Sequence, residues 1–194
     1  MKQAADGITN YLIQQRVITE DERNIYIFGF NLFLKYFISL FFIILVGMLN
    51  HALKETLIFV FLCFSLRSYA GGVHLVKNSF CQVFSVAIIQ IALWLNELLP
   101  FRFIASICLL LVFSVLIYFI GPVDNKNKPL DMVEKKVFTK KLRQVLIVQL
   151  MLFFLVIGLN QIEWANLFTI NFCINLLSML LGKYFRTRES RFFL

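Results

Sequence analysis

Apolar residues in this chain gather into long blocks instead of alternating singly with polar ones. Six blocks, over 36–53, 56–70, 79–95, 101–121, 144–162 and 164–182, approach the roughly 20 mostly apolar residues that cross a bilayer as a helix. The pattern predicts an all-α integral membrane protein with about six transmembrane helices, a single polytopic domain over 1–194. The second block is the weakest. Only 11 uncharged residues separate Glu55 from Arg67. That span either includes Arg67 or is a shorter, partly buried element, so five-span and re-entrant arrangements stay open.

Two stretches break the blocks. Near the start, Ala4, Ala5, Ile8, Tyr11 and Leu12 recur at helical spacing, with Lys2, Asp6, Asn10 and Gln14 on other faces. Residues 1–18 therefore read as an amphipathic helix, either lying at the inner membrane surface or packed as a cap on the bundle. This polar opening lacks the form of a secretory signal peptide. Thr19 and Glu22 have the spacing of a capping box that starts the helix feeding the first span. The second stretch is the polar loop over 122–143. It carries Pro122 and Pro129, which favour an ordered turn, and its part from Asp131 to Arg143 could form a basic surface helix.

Composition agrees with the pattern. Hydrophobic residues make up 60% of the chain and charged ones 15%, with 23 Phe. A soluble domain carries about 45–50% apolar and about 25% charged residues. An ordinary soluble globule, a disordered chain and a nucleic-acid-binding domain are thereby excluded. The net charge of +8 fits cytoplasmic loops and an anionic lipid surface better than nucleic acid. With six spans and the N-terminus inside, 17 of the 19 Lys and Arg fall on the inner side and only Lys54 and Arg102 outside. That asymmetry obeys the positive-inside rule and predicts that both termini are cytoplasmic.

The chemistry-bearing residues are few. The spans hold almost no ionisable side chain away from their ends, which argues against an ion-coupled transporter. Nucleotide-binding, serine-hydrolase and zinc-protease motifs are absent. Of the two His, His51 is expected to be structural at the outer end of the first span. His74 lies in the cytoplasmic run Arg67-Ser68-Tyr69-Ala70-Gly71-Gly72-Val73-His74. Cys63, Cys108 and Cys173 fall within spans and read as inert buried hydrophobes. Cys81 differs. With Asn78 or Ser79 as N-cap, it occupies the first turn of the third span, where the helix dipole favours a thiolate. An unbroken helix would hold His74 and Cys81 roughly 10.5 Å apart, so they meet only if the chain turns. Gly71 and Gly72 permit that turn. In that case His74 could take the Cys81 proton and return it to a leaving amine. One His and one Cys do not make a zinc site, and no metal or cofactor is implied.

The run from Arg67 to His74 with Cys81, joined to the loop Pro122-Val123-Asp124-Asn125-Lys126-Asn127-Lys128-Pro129-Leu130, resembles the accessory gene regulator protein B family of bacterial membrane peptidases. Length, six spans and the polar start are similar too. The resemblance implies a cysteine endopeptidase of the bacterial cell membrane, its active site facing the cytoplasm. It would cut the C-terminal part from a short quorum-sensing precursor peptide through a Cys acyl-thioester, which a Cys or Ser of the precursor then closes to a thiolactone or lactone. It implies Cys81 as nucleophile and His74 as general base and acid, supported by Arg67 and Gly72. Ser68, Ser79 and Gln82 are neighbours that could orient His74 or serve an oxyanion. Lys126, Lys128, Lys135 and Lys136 are candidate docking residues for an acidic precursor tail. Anionic lipid and a second copy of this chain are further candidate partners, and nucleic acid is not. Two competing readings are a peptide exporter or permease subunit, with a polar path from Asn50, Gln90, Asn160, Asn171 and Asn175, and a non-catalytic scaffold.

Overall fold

A computed structural model describes residues 2–72, 78–99, 103–124 and 131–192. Among these residues the fold is all-helical: α1 (Lys2–Gln14), a 3-10 turn (Glu20–Glu22), α2 (Arg23–Leu49), α3 (Leu53–Ala70), α4 (Asn78–Leu98), α5 (Phe103–Ile120), α6 (Met132–Gly158) and α7 (Ile162–Phe192). The chain divides into two compact units, Met1–Leu45 and Val46–Leu194.

In the first unit, the apolar stripe of α1 is split. Ala5 and Thr9 are fully buried, whereas Ile8 and Tyr11 are exposed. The Thr9 hydroxyl donates to the Ala5 carbonyl at 2.8 Å, which satisfies it without a partner outside the helix. After α1 the chain turns at Arg16 in the left-handed region (φ 57). Glu22 then accepts from both the amide and the hydroxyl of Thr19 at 3.0 Å, so the expected Thr19–Glu22 signal does mark a helix start. The Arg23 guanidinium donates to Asn10 at 3.0 Å, tying the head of α2 to α1. The helix begins at Arg23, well before the first apolar block. Nothing between Arg23 and Tyr36 breaks a helix once the turn at Thr19 has nucleated it.

In the second unit α7 packs against α3, α4, α5 and α6. Its residues Ala165 to Phe172 are all buried, and Phe168 meets Phe153 of α6 edge-on at 6.0 Å. The remaining core comes from Leu62, Leu66 and Ala70 of α3, Leu110 and Ile117 of α5, and Leu142 and Leu146 of α6. Helix α6 also starts earlier than its apolar block, at Met132. Asp131 caps it by accepting from the Met132 amide at 2.6 Å, while Glu134 reaches back to the Asp131 amide at 3.3 Å. The basic stretch over 131–143 is therefore not a separate surface helix. It forms the first turns of α6, where Lys141 lies over the Tyr69 ring and Arg143 over the Tyr118 ring, at 5.6 and 4.3 Å from their centroids.

Among the described residues, three helical stretches are long and apolar enough to cross a membrane: Glu20–Leu49, Met132–Gly158 and Ile162–Phe185. The apolar parts of α4 and α5, Val83–Leu98 and Ile104–Ile120, are shorter. Helix α3 belongs to neither group because Lys54, Glu55 and Arg67 lower its hydropathy, in keeping with the weak second block. Large apolar side chains such as Phe28, Phe33, Phe37, Ile104 and Phe119 stand exposed along these helices. A surface of this kind calls for lipid. It also corrects the expectation for the cysteines: Cys63 and Cys173 are half-buried and Cys108 is exposed. Where the surrounding solvent is itself apolar, apolar neighbours along a helix do not imply burial inside the protein.

Buried and half-buried polar groups hold the helices together. Asn50 and Gln90 exchange carboxamide hydrogen bonds at 3.0 and 2.9 Å. Ser106 and Thr169 join α5 to α7 at 2.7 Å. Gln149 of α6 donates to the Leu62 carbonyl and to Ser65 of α3, at 2.9 and 2.8 Å. Its own oxygen accepts from Asn171 of α7 at 3.2 Å, and Asn175 donates to the side-chain oxygen of Asn171 at 2.8 Å. Such bonds bind helices where lipid gives no hydrophobic drive to association.

Candidate functional site

The site is built at the end of α3. Arg67 lies in its last turn, where a cation is favoured by the helix dipole. The Arg67 carbonyl accepts from the Gly71 amide at 3.2 Å, closing the helix. Gly71 then takes φ 71 and Gly72 φ 129, values that L side chains rarely adopt. The helix therefore ends at the glycines, and whether the chain then turns His74 towards Cys81 lies outside the described residues. Space also requires both glycines. A Cβ at Gly71 would fall on the Val123 carbonyl oxygen, and one at Gly72 would lie 2.5 Å from the Ser178 hydroxyl and 3.1 Å from the Ser178 carbonyl.

Helix α5 ends at Gly121 (φ 67), and the chain passes through a buried Pro122 to Val123. The Val123 amide donates to the Ala70 carbonyl at 2.9 Å, and Gly71 and Val123 form a parallel β-bridge. The two motifs far apart in sequence, the Arg67–Gly72 run and the loop opening at Pro122, therefore meet in space. They meet over α7. Arg67 donates to the Ser178 hydroxyl at 2.9 Å, and a Cβ at Gly182 would lie 3.0 Å from the Gly72 carbonyl carbon and 3.3 Å from a Val123 methyl. Ser178 and Gly182 do not stand out in a reading of motifs. The signal that would have found them is a small residue at each end of one helical turn in an apolar helix, which lets backbones approach closely.

Asn78 is the first residue of α4, so the backbone puts Cys81 in its first turn, as expected. There the N-terminal amides lack intrahelical acceptors and favour an anion. The side chains of Cys81, Ser79 and Gln82 lie outside the described residues, as do His74, Lys126 and Lys128. Ser68 donates to the Phe64 carbonyl at 2.7 Å and is exposed. Lys135 and Lys136 are exposed on the first turns of α6, where with Met132, Thr139, Lys140 and Arg143 they line a shallow basic groove. His51 occupies the turn between α2 and α3 with φ 52 and is exposed.

Comparison with known proteins covers both motifs. The family model for accessory gene regulator B matches residues 5–181. The chain is 29% identical over 142 residues to a "Putative AgrB-like protein" of Clostridium perfringens strain SM101, with 67% of this chain and 66% of that protein covered. It is 28% identical over 145 residues to "Putative AgrB-like protein 2" of Clostridium perfringens strain 13, at the same coverage. The chain thus spans about two thirds of the length of these curated relatives. No solved structure matches. A match that runs from α1 into α7, through the Arg67–Gly72 turn, the start of α4 and the Pro122 loop, identifies the chain as a member of the accessory gene regulator B family.

Proposed function

We propose that this chain is a membrane-embedded cysteine endopeptidase that matures a short quorum-sensing precursor peptide. The observation that carries the reading is the Gly71–Val123 bridge. It joins the two family motifs at the point where the chain leaves α3 towards His74 and Cys81. Family membership links the chain to accessory gene regulation.

In the proposed reaction His74 removes the Cys81 proton. The Cys81 sulfur attacks the scissile carbonyl carbon, and the peptide C–N bond breaks as the imidazolium returns its proton to the departing amine. The product is an acyl-thioester on Cys81 and a released C-terminal peptide. A thiol or hydroxyl within the precursor then attacks that thioester carbonyl, closing a thiolactone or lactone and restoring the Cys81 thiol. Restricted water at the bilayer edge protects the thioester for ring closure.

The proposed topology has six spans, both termini cytoplasmic and the site on the inner face of the bacterial cell membrane. The 17-to-2 distribution of Lys and Arg supports it. Lys126, Lys128, Lys135 and Lys136 are proposed to hold the acidic tail of the precursor, next to anionic lipid. A second copy of this chain is the proposed assembly partner. The exporter reading has less support, because Asn50, Gln90, Asn171 and Asn175 are engaged in hydrogen bonds within the bundle.

The test is processing of a precursor peptide by purified protein in lipid vesicles. Cys81→Ala and His74→Ala should insert normally and leave the precursor uncut, while Cys108→Ala should cut at the wild-type rate. Cleavage that persists in Cys81→Ala would overturn the reading.

A further inference from the structure

We propose that Ser178 and Gly182 of α7 are positioning residues for the candidate catalytic segment. The inference rests on the endopeptidase reading and adds two residues that neither the sequence motifs nor the relatives assign. In the sequence, residues 73–77 carry His74 and lead from Gly72 into α4. Gly72 is the last described residue before that segment, and its placement is the one the proposal concerns.

Three contacts fix that placement against one helix. The Arg67 guanidinium donates to the Ser178 hydroxyl at 2.9 Å. The Gly72 backbone approaches Ser178 so closely that a Cβ would lie 2.5 Å from its hydroxyl oxygen. One helical turn on, Gly182 is so close to Gly72 that a Cβ there would lie 3.0 Å from the Gly72 carbonyl carbon. Asn171, Asn175, Ser178 and Gly182 follow one another at spacings of four, three and four residues, one stripe of α7. The stripe reaches α3 directly, through Asn175 on Cys63 at 3.9 Å and Ser178 on Arg67. It also reaches α3 through Gln149, which bonds Asn171 on one side and the Leu62 carbonyl on the other. The α3–α7 contact thus carries a polar stripe beside its apolar core down to the turn and becomes a close backbone approach at the turn itself. Gly182 adds the second motif, since a Cβ there would also press on Val123. In this proposal both act through the backbone at Gly72 and the side chain of Arg67.

The geometry makes graded predictions. Ser178→Ala removes one acceptor of Arg67 and leaves the helix intact. Gly182→Ala pushes the turn by a few tenths of an ångström, because its neighbours are backbone atoms of Gly72. Displacement of a reacting group by about 1 Å can cost a hundredfold in rate, so each change should lower kcat by about tenfold with KM unchanged. The pH profile of Cys81 alkylation should move to higher pH in both, because a displaced His74 no longer draws off the thiol proton. Arg67→Ala with Ser178→Ala should be no slower than the slower single variant, since the pair acts as one unit. Leu177→Ala, on the exposed face of the same turn, should match the wild type in both readings.

The experiment uses the full chain in lipid vesicles, with precursor cleavage and iodoacetamide labelling of Cys81 read from pH 5 to 9. Wild-type kcat and an unshifted labelling profile in both Ser178→Ala and Gly182→Ala would overturn the inference. So would a loss of kcat matched by loss of folded protein with the labelling profile unmoved. Should Ser178→Ala fail to fold, Gly182→Ala carries the test. A Cys81→Ala protein that still cuts would defeat the endopeptidase reading itself. A dead Cys81→Ala beside a wild-type-like Ser178→Ala would defeat only the positioning role.

Discussion

Helices α2 and α7 are two of the longest in the chain, and they treat their surroundings in opposite ways. In the most apolar 18-residue stretch of α2, 11% of residues are buried, against 61% in α7. Yet α2 is the more apolar helix, dense in Phe, and α7 carries Asn166, Thr169, Asn171, Asn175 and Ser178. In water the order would be reversed. The inversion shows what the bilayer changes. An apolar side chain gains nothing by leaving lipid for protein, whereas a polar one gains a partner. Helix α7 is central because it is polar in the right places, and the same polar stripe ends at the turn that carries the candidate site.

The comparison can be broken in several ways. The largest effect should come from Gly71→Ala. The new Cβ meets the Val123 carbonyl, and the left-handed backbone disfavours any side chain. A destabilisation of about 2 kcal/mol or more is expected, with loss of processing. The corresponding Gly29→Ala on α2, where a Cβ has open space, should stabilise the helix or leave it unchanged. Next, Phe172→Ala on α7 opens a cavity in a fully buried position. It should cost on the order of 2–4 kcal/mol in detergent unfolding, while Phe33→Ala on α2 should change stability by about 0.5 kcal/mol or less. Equal losses at Phe33 and Phe172 would show that the two side chains are packed alike. A smaller effect is expected for Asn171→Leu, which breaks the link to Gln149 and should cost about 1 kcal/mol. Asn31→Leu on α2 removes only a bond to the carbonyl of its own helix at 2.9 Å and should cost less. The mildest test is labelling with a membrane-permeant maleimide: Cys108, exposed on α5, should react faster than Cys63.

Much of the fold was legible because bilayer spans announce themselves by length and hydropathy. Each of the six apolar blocks has its helix, but only α2, α6 and α7 are long and apolar enough to be candidate spans; the apolar parts of α4 and α5 are shorter, and α3, the weak second block, is too charged. Helix starts were less legible. Helix α6 extends through residues 132–143, where charged but helix-favouring residues such as Lys and Glu carry the ladder and hydropathy does not register it, whereas the start of α2 over 25–34 is itself mostly apolar and a first block opening at 36 starts too late. The turn at Gly71 and Gly72 could be read from the glycines. The closeness of the Arg67 run and the Pro122 loop could be suspected only from resemblance. Ser178 and Gly182 were missed because their partners lie some 110 residues away along the chain (Arg67 to Ser178 is a separation of 111), and a single sequence carries no record of such pairs. The cysteines misled for a related reason. An apolar context separates membrane from water, and it does not separate protein interior from lipid.

The most direct test of the account is the mass of the enzyme caught during turnover. Purified protein in lipid vesicles is mixed with the precursor peptide, quenched in acid and digested, and each cysteine peptide is weighed. The account predicts a hydroxylamine-sensitive acyl adduct on the peptide holding Cys81, with the mass of the N-terminal precursor fragment, and none on those holding Cys63, Cys108 or Cys173. Precursor cleavage with no adduct on Cys81, or an adduct on one of the other three, would contradict it.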